Sequence, residues 1–174
     1  ADPVIGQGNG VGQRLQELEL FGVTEHDPGE AARPGGEGRV ALLGDGAAED
    51  AVVQVEDAVL EGLHGYDYRD AANGDRVVRE TGTEFIVEGE VDRVYYNVRR
   101  PQLLNAGNLS LGIQNQGFPD VVVWNPWVDK CAALSDMPAD GWRHMLCVEA
   151  ACVRQPVMLP AGEEWYGRQT LVAV

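Results

Sequence analysis

Val91-Asp92-Arg93-Val94-Tyr95-Tyr96-Asn97-Val98 decides how the rest of the chain is read. β-Branched and aromatic residues dominate it, with no helical period, so it reads as a strand. Pro101 closes it. On both sides the same grammar continues, with short apolar runs cut by turn signals. Tyr66–Arg69 is a short strand, and Asn73-Gly74 is a hairpin turn whose residues both tolerate positive φ. Thr83–Val87 follows, broken by Gly89. Leu109–Gln114 is a strand, and Gly117-Phe118-Pro119-Asp120 is the turn after it. Val121–Trp124 is a short buried strand stopped by Asn125-Pro126, and 132–136 is a possible helical turn. Met145–Val153 is the most apolar run, and Glu164–Val174 is a last strand. Strands at this spacing predict an all-β chain built as a β-sandwich.

The chain divides in two by composition. Residues 1–62 hold 13 acidic and 3 basic side chains, whereas 63–174 hold 15 and 10. All four tryptophans and all five tyrosines lie in the second part, and half of the 22 glycines lie in the first 50 residues. Gly-rich sequence without tryptophan or tyrosine buries too little surface to offset its ordering entropy. Residues 1–50 are therefore expected to be an atypical, poorly ordered acidic segment, with the β-sandwich domain over 51–174. Ala51–Leu60 could be either strand or helix.

A net charge of -15 over 174 residues argues against nucleic acid or an anionic membrane as partner. No apolar run approaches the roughly 20 residues of a membrane helix. Ala1 opens the chain without a methionine, which suggests a processed or partial chain. Cys131, Cys147 and Cys152 form no Cys-x-x-Cys pair and are read as buried thiols of a reducing, cytoplasmic compartment.

Three groups of polar residues are conspicuous. Glu149 interrupts Met145-Leu146-Cys147-Val148-Glu149-Ala150-Ala151-Cys152-Val153. A strand apolar on both faces is covered on both, so a lone carboxylate there loses hydration unless it is bonded or faces a cleft. Desolvation favours the protonated form, which suits a general base working near neutrality. Alternation puts Glu149 on the face of the small residues Cys147 and Ala151. A structural carboxylate paired with an arginine accounts for the pattern equally well. Asp92 shares a face with Val94 and Tyr96, while Arg93 points the other way; the plain alternative is a solvent-facing edge residue. In Trp124-Asn125-Pro126-Trp127, indole faces suit the C–H faces of sugar rings and Asn125 offers both a donor and an acceptor. Alternatively, these aromatics close one end of a sandwich core. His26, His64 and His144 are scattered without metal-ligand spacing.

Taken in order, the elements Gly62-Leu63 to Asp67, Gly89-Glu90-Val91-Asp92-Arg93-Val94-Tyr95, Pro119 to Trp127, Lys130 to Met137, Met145 to Ala151 and Leu159 to Leu171 resemble the C-terminal half of the hexose-6-phosphate mutarotases, the glucose-6-phosphate 1-epimerases of the aldose 1-epimerase superfamily. The resemblance covers roughly residues 58–174. It implies a galactose-mutarotase-like β-sandwich and interconversion of the α and β anomers of a hexose 6-phosphate, with a small-molecule sugar phosphate as partner and no cofactor or metal. It also implies that Glu149 is the catalytic carboxylate and Asp92 a sugar-binding aspartate, with Trp124 and Asn125 as further substrate-binding positions. The histidine acid of such enzymes lies in an Ala-Leu-His-x-Tyr-Phe type motif. The corresponding stretch here is Ala41-Leu42-Leu43-Gly44-Asp45-Gly46, so a non-catalytic sugar-phosphate-binding module or an inactive partial family member is the alternative.

Overall fold

The computed structural model describes residues 54–174. The expected low-order segment 1–50 lies outside the described residues. Ten strands follow in chain order: β1 (Ala58–Glu61), β2 (Asp67–Asp70), β3 (Arg76–Arg79), β4 (Glu84–Ile86), β5 (Val91–Tyr95), β6 (Gln102–Ala106), β7 (Leu109–Gln116), β8 (Asp120–Asn125), β9 (Cys147–Ala151) and β10 (Arg168–Ala173). A six-residue helix, α1 (Trp127–Ala132), and 3-10 turns at Val55–Asp57 and Gly141–His144 complete the set. Among the described residues no helix is long and apolar enough to cross a membrane.

The strands form two five-stranded antiparallel sheets, ordered β10-β7-β6-β1-β4 and β3-β2-β5-β8-β9. Alternate residues of each strand meet in a shared core. The first sheet contributes Leu60, Phe85, Leu104 and Ile113; the second contributes Tyr68, Tyr95, Val121, Val123 and Val148. This is the expected all-β sandwich.

Local differences from the expected elements have physical reasons. β5 ends at Tyr95 rather than Val98, because Asn97 turns the chain at φ 53°. The helix falls on Trp127–Ala132, ahead of the expected 132–136. A hairpin turn forms at the expected place, but the positive φ falls on Gly74 and Asp75 rather than Asn73 and Gly74, because the buried Asp70 carboxylate accepts from the Asn73 backbone and side-chain N–H groups.

One cation lies on the core side of the second sheet. The Arg93 guanidinium stacks over Tyr68 at 4.5 Å and Phe85 at 5.0 Å. It pairs with Glu80 at 3.3 Å and Asp70 at 3.6 Å, while the Tyr95 hydroxyl donates to Glu80 at 2.9 Å. Two carboxylates and two ring faces make so buried a guanidinium tolerable. Burial holds the Tyr95 hydroxyl far above the usual tyrosine range, so it stays a donor.

Buried polar side chains pin both ends of β8. At its start, Asp120 is fully buried and accepts from the backbone N–H groups of Asn97 (3.2 Å), Val153 (2.8 Å) and Arg154 (2.7 Å). At its end, Asn125 is also fully buried. Its amide donates to the carbonyls of Trp142 (2.8 Å) and Met145 (2.7 Å), and its oxygen accepts from Trp127 N–H (2.8 Å).

Asp120→Ala should lower stability by about 3 kcal/mol, because three backbone donors lose a charged acceptor at once. Urea unfolding would show it as a lower midpoint at unchanged slope; a loss below about 1 kcal/mol would refute the clamp. Gly62→Ala should also destabilise, by about 2 kcal/mol or more. Gly62 sits at φ +96°, and an added Cβ would lie 2.5 Å from the Pro101 carbonyl oxygen. The same unfolding experiment reads it.

Candidate active site

The outward face of the second sheet carries three of the four side chains singled out from the sequence, Asp92, Trp124 and Glu149. Register places Asp92 of β5 opposite Trp124 of β8, and Trp124 opposite Cys147 of β9. One step along, Val94 lies opposite Val122, and Val122 opposite Glu149. Asp92, Trp124 and Glu149 thus share one face, while Arg93, Val123 and Val148 face the core. Asp92 and Glu149 stand two strands apart and two residues offset, roughly 12 Å between Cα atoms by ordinary sheet spacings. That separation leaves room for one ring between two carboxylates.

Glu149 is half-buried, with Cys147 and Val148 buried on the preceding positions and Ala150 buried after it. The expected covering of both faces of this strand is only partly found. Val148 and Ala150 enter the interior, but among the described residues β9 is the edge strand of its sheet, and Glu149 and Ala151 are half-exposed on the other face. Small neighbours, Cys147 and Ala151, flank Glu149 as expected from period two.

Asp92 is a half-buried residue of an internal strand, not a solvent-facing edge residue. It sits beside a cation that the alternation pattern of β5 does not reveal. Lys130 of α1 places its ammonium 2.9 Å from Glu90 Oε1 and 3.9 Å from Asp92 Oδ2. The hydrogen bond to Glu90 raises the Lys130 pKa, so it stays protonated at neutral pH. A signal for this was present: Trp127 and Cys131 stand four apart on α1 and face inward, which leaves Lys130 at the rim.

Trp124 and Asn125 part company. Trp124 is half-buried on the site face beside Asp92, whereas Asn125 points to the interior with both amide hydrogens committed to backbone carbonyls. Trp127 packs against the core with its ring 4.2 Å from that of Trp142. His64 is exposed, with Nδ1 3.1 Å from the Thr81 carbonyl oxygen. His144 is half-buried in the turn ahead of β9, and His26 lies outside the described residues. Cys131, Cys147 and Cys152 are buried, as expected. Among the described residues no group of three His, Cys, Asp or Glu side chains is arranged to hold a metal ion.

Comparison with known proteins adds the family. Residues 48–171 match the family model for aldose 1-epimerase. The chain is 36% identical over 125 residues to a Cenchrus ciliaris protein named "Putative glucose-6-phosphate 1-epimerase", covering 71% of this chain and 38% of that one. A protein of the same name from Escherichia coli K12 is 37% identical over 62 residues, covering 34% and 21%. In fold the chain is similar to the crystal structure of a "putative mutarotase" from Salmonella typhimurium, with a TM-score of 0.65 at 23% identity over 70% of this chain and 41% of that one. The chain spans about two fifths or less of the length of the curated relatives it matches. A family model matching well over half of its residues leaves one conclusion: the chain belongs to the aldose 1-epimerase family.

Proposed function

We propose that this chain interconverts the α and β anomers of a hexose 6-phosphate by general acid–base catalysis. The observation that carries the reading is the placement of Glu149, Asp92 and Trp124 on one sheet face, in register, with space for a ring between the two carboxylates. The names of the matched relatives support the choice of a glucose 6-phosphate-type substrate.

In the proposed reaction the Glu149 carboxylate accepts the proton of the anomeric hydroxyl as the ring C–O bond breaks, while a general acid protonates the ring oxygen. C1 becomes an aldehyde, the C1–C2 bond rotates, and the reverse steps close the ring on the other carbonyl face. A positioned base contributes about 10²–10⁴-fold to such a step. Asp92 accepts a hydrogen bond from a ring hydroxyl and fixes the pose, and Trp124 offers an indole face to the C–H side of the ring. Asn125 acts from behind, by holding the corner that follows Trp124.

Added to one pure anomer of glucose 6-phosphate, the chain should accelerate the approach to anomeric equilibrium followed by polarimetry. Glu149→Gln should cut that acceleration by at least about a hundredfold, with the folded fraction of the variant checked by circular dichroism. Should the wild-type chain bind the sugar phosphate and leave the exchange rate at its buffer value, the binding-module reading replaces the enzymatic one. Asp92→Asn should act differently, raising KM by about tenfold through a weakened charge-assisted hydrogen bond. An unchanged KM would remove Asp92 from the binding site.

A further inference from the structure

The loop-to-helix passage after β8 is strained, and the strain has a visible product. Trp127 begins α1 at φ 57°, a left-handed conformation that bulky residues rarely adopt. Asn125 Oδ1 holds its N–H at 2.8 Å, Trp142 stacks on its ring, and Cys131 is fully buried with its Sγ 3.2 Å from the Pro138 carbonyl oxygen. A helix of six residues is thereby anchored at two points four residues apart. Lys130 lies between these anchors, and its side chain reaches back across the chain to the start of β5. Strain held in place by surrounding contacts is an observation from which a functional role can be inferred.

The pair it creates is incomplete. An ammonium has three hydrogens to donate. Glu90 takes one at 2.9 Å. The Asp92 carboxylate, at 3.9 Å, is too distant for a direct hydrogen bond. The gap has a definite size: a hydroxyl oxygen making two ordinary hydrogen bonds of about 2.8 Å, one from the ammonium and one to the carboxylate, closes a triangle on this base with an angle of about 90° at the oxygen. Both side chains are partly open to solvent on the same side as Trp124 and Glu149, so a ligand reaches them.

We propose that Lys130 is a substrate-binding residue: its ammonium and the Asp92 carboxylate grip one ring hydroxyl of the sugar between them, the lysine donating and the aspartate accepting. This rests on the placement of the sugar beside Asp92 proposed above. A hydroxyl held this way is polarised by both partners, and each hydrogen bond is charge-assisted. A sugar lacking that hydroxyl leaves the 3.9 Å gap unbridged and loses both bonds together. The pair therefore selects for one hydroxyl of the ring, and Lys130 is a specificity residue as well as a binding one.

The test is calorimetric titration of wild type and Lys130→Met with glucose 6-phosphate and with its monodeoxy analogues. Methionine keeps most of the stem length and removes the charge, and an unchanged unfolding midpoint confirms an intact fold. Lys130→Met should weaken glucose 6-phosphate binding by about tenfold or more. One deoxy analogue should bind wild type with a similar loss, and the variant should no longer distinguish that analogue from the parent sugar. Equal binding by wild type and variant overturns the proposal while leaving the catalytic reading standing. A tenfold loss spread evenly over parent and all analogues also overturns it, since the lysine would then act by general attraction. Binding with the predicted pattern but no acceleration of anomer exchange supports the grip and removes the catalytic reading. No binding of any analogue to wild type removes both.

Discussion

The face that carries Asp92, Trp124 and Glu149 exists because β8 is held at both ends by side chains that bond to backbone. Side chains alternate across a sheet, so a slip of one residue between β8 and β9 would send Glu149 into the core and Val148 out. Hydrophobic pattern alone resists such a slip poorly here, since β9 is apolar at every other position and an alanine or cysteine fits either side. Asp120 supplies what pattern does not. It binds Val153 and Arg154 just beyond β9 and Asn97 just beyond β5, tying three chain segments to one carboxylate. Asn125 binds Trp142 and Met145 just ahead of β9. With entry and exit both fixed to β8, only one register remains.

Sheet edges make this constraint matter more. Among the described residues β9 pairs on one side only. An edge strand with one neighbour has half the ladder bonds of an internal strand, and its position depends on whatever else ties it down. Glu149 on such a strand is accessible from the face, and the two polar brackets restore the rigidity that single-sided pairing lacks. β5 differs. It is internal, and Arg93 on its core side is locked among Asp70, Glu80, Tyr68 and Phe85, so Asp92 is presented by a strand already immobile from behind.

Much of this was legible in the chain. Alternation in Val91–Tyr96 correctly separates Asp92 from Arg93, and the Asn73-Gly74 turn, the short buried run before Trp124 and the interruption of an apolar run by Glu149 all follow from local chemistry. β6 has no local strand signature: Gln102-Leu103-Leu104-Asn105-Ala106 has no β-branched residue and takes its state from pairing with β1 and β7. Asp120 and Asn125 sit next to turn residues and look like turn residues; their bonds to backbone 17 to 34 positions away have no periodic signature. For Lys130 the spacing of Trp127 and Cys131 indicates the rim position, but not its partner Glu90, which lies 40 residues earlier.

Charge sets the remaining constraint on any pose. A chain of net charge -15 repels a phosphate ester at long range, yet at physiological ionic strength screening confines exposed charges to about 8 Å. The balance within that distance of the bound ligand decides, and it is uneven across the face. Glu149 stands at the β9 edge. Arg69 of β2 lies in the same cross-strand row as Val94, Val122 and Glu149, three strands away, and its partner Asp75 is well exposed. Lys130 covers the Asp92 end. For a hexose 6-phosphate posed with its anomeric centre at Glu149, cations stand at both ends of the face: Lys130 and Arg69 across the sheet, and Arg154 just beyond β9, over the Tyr96 ring at 4.8 Å. In the proposed reaction the carboxylate that takes the proton also repels the phosphate, so the charge that would perform the chemistry disfavours any pose that brings the two together.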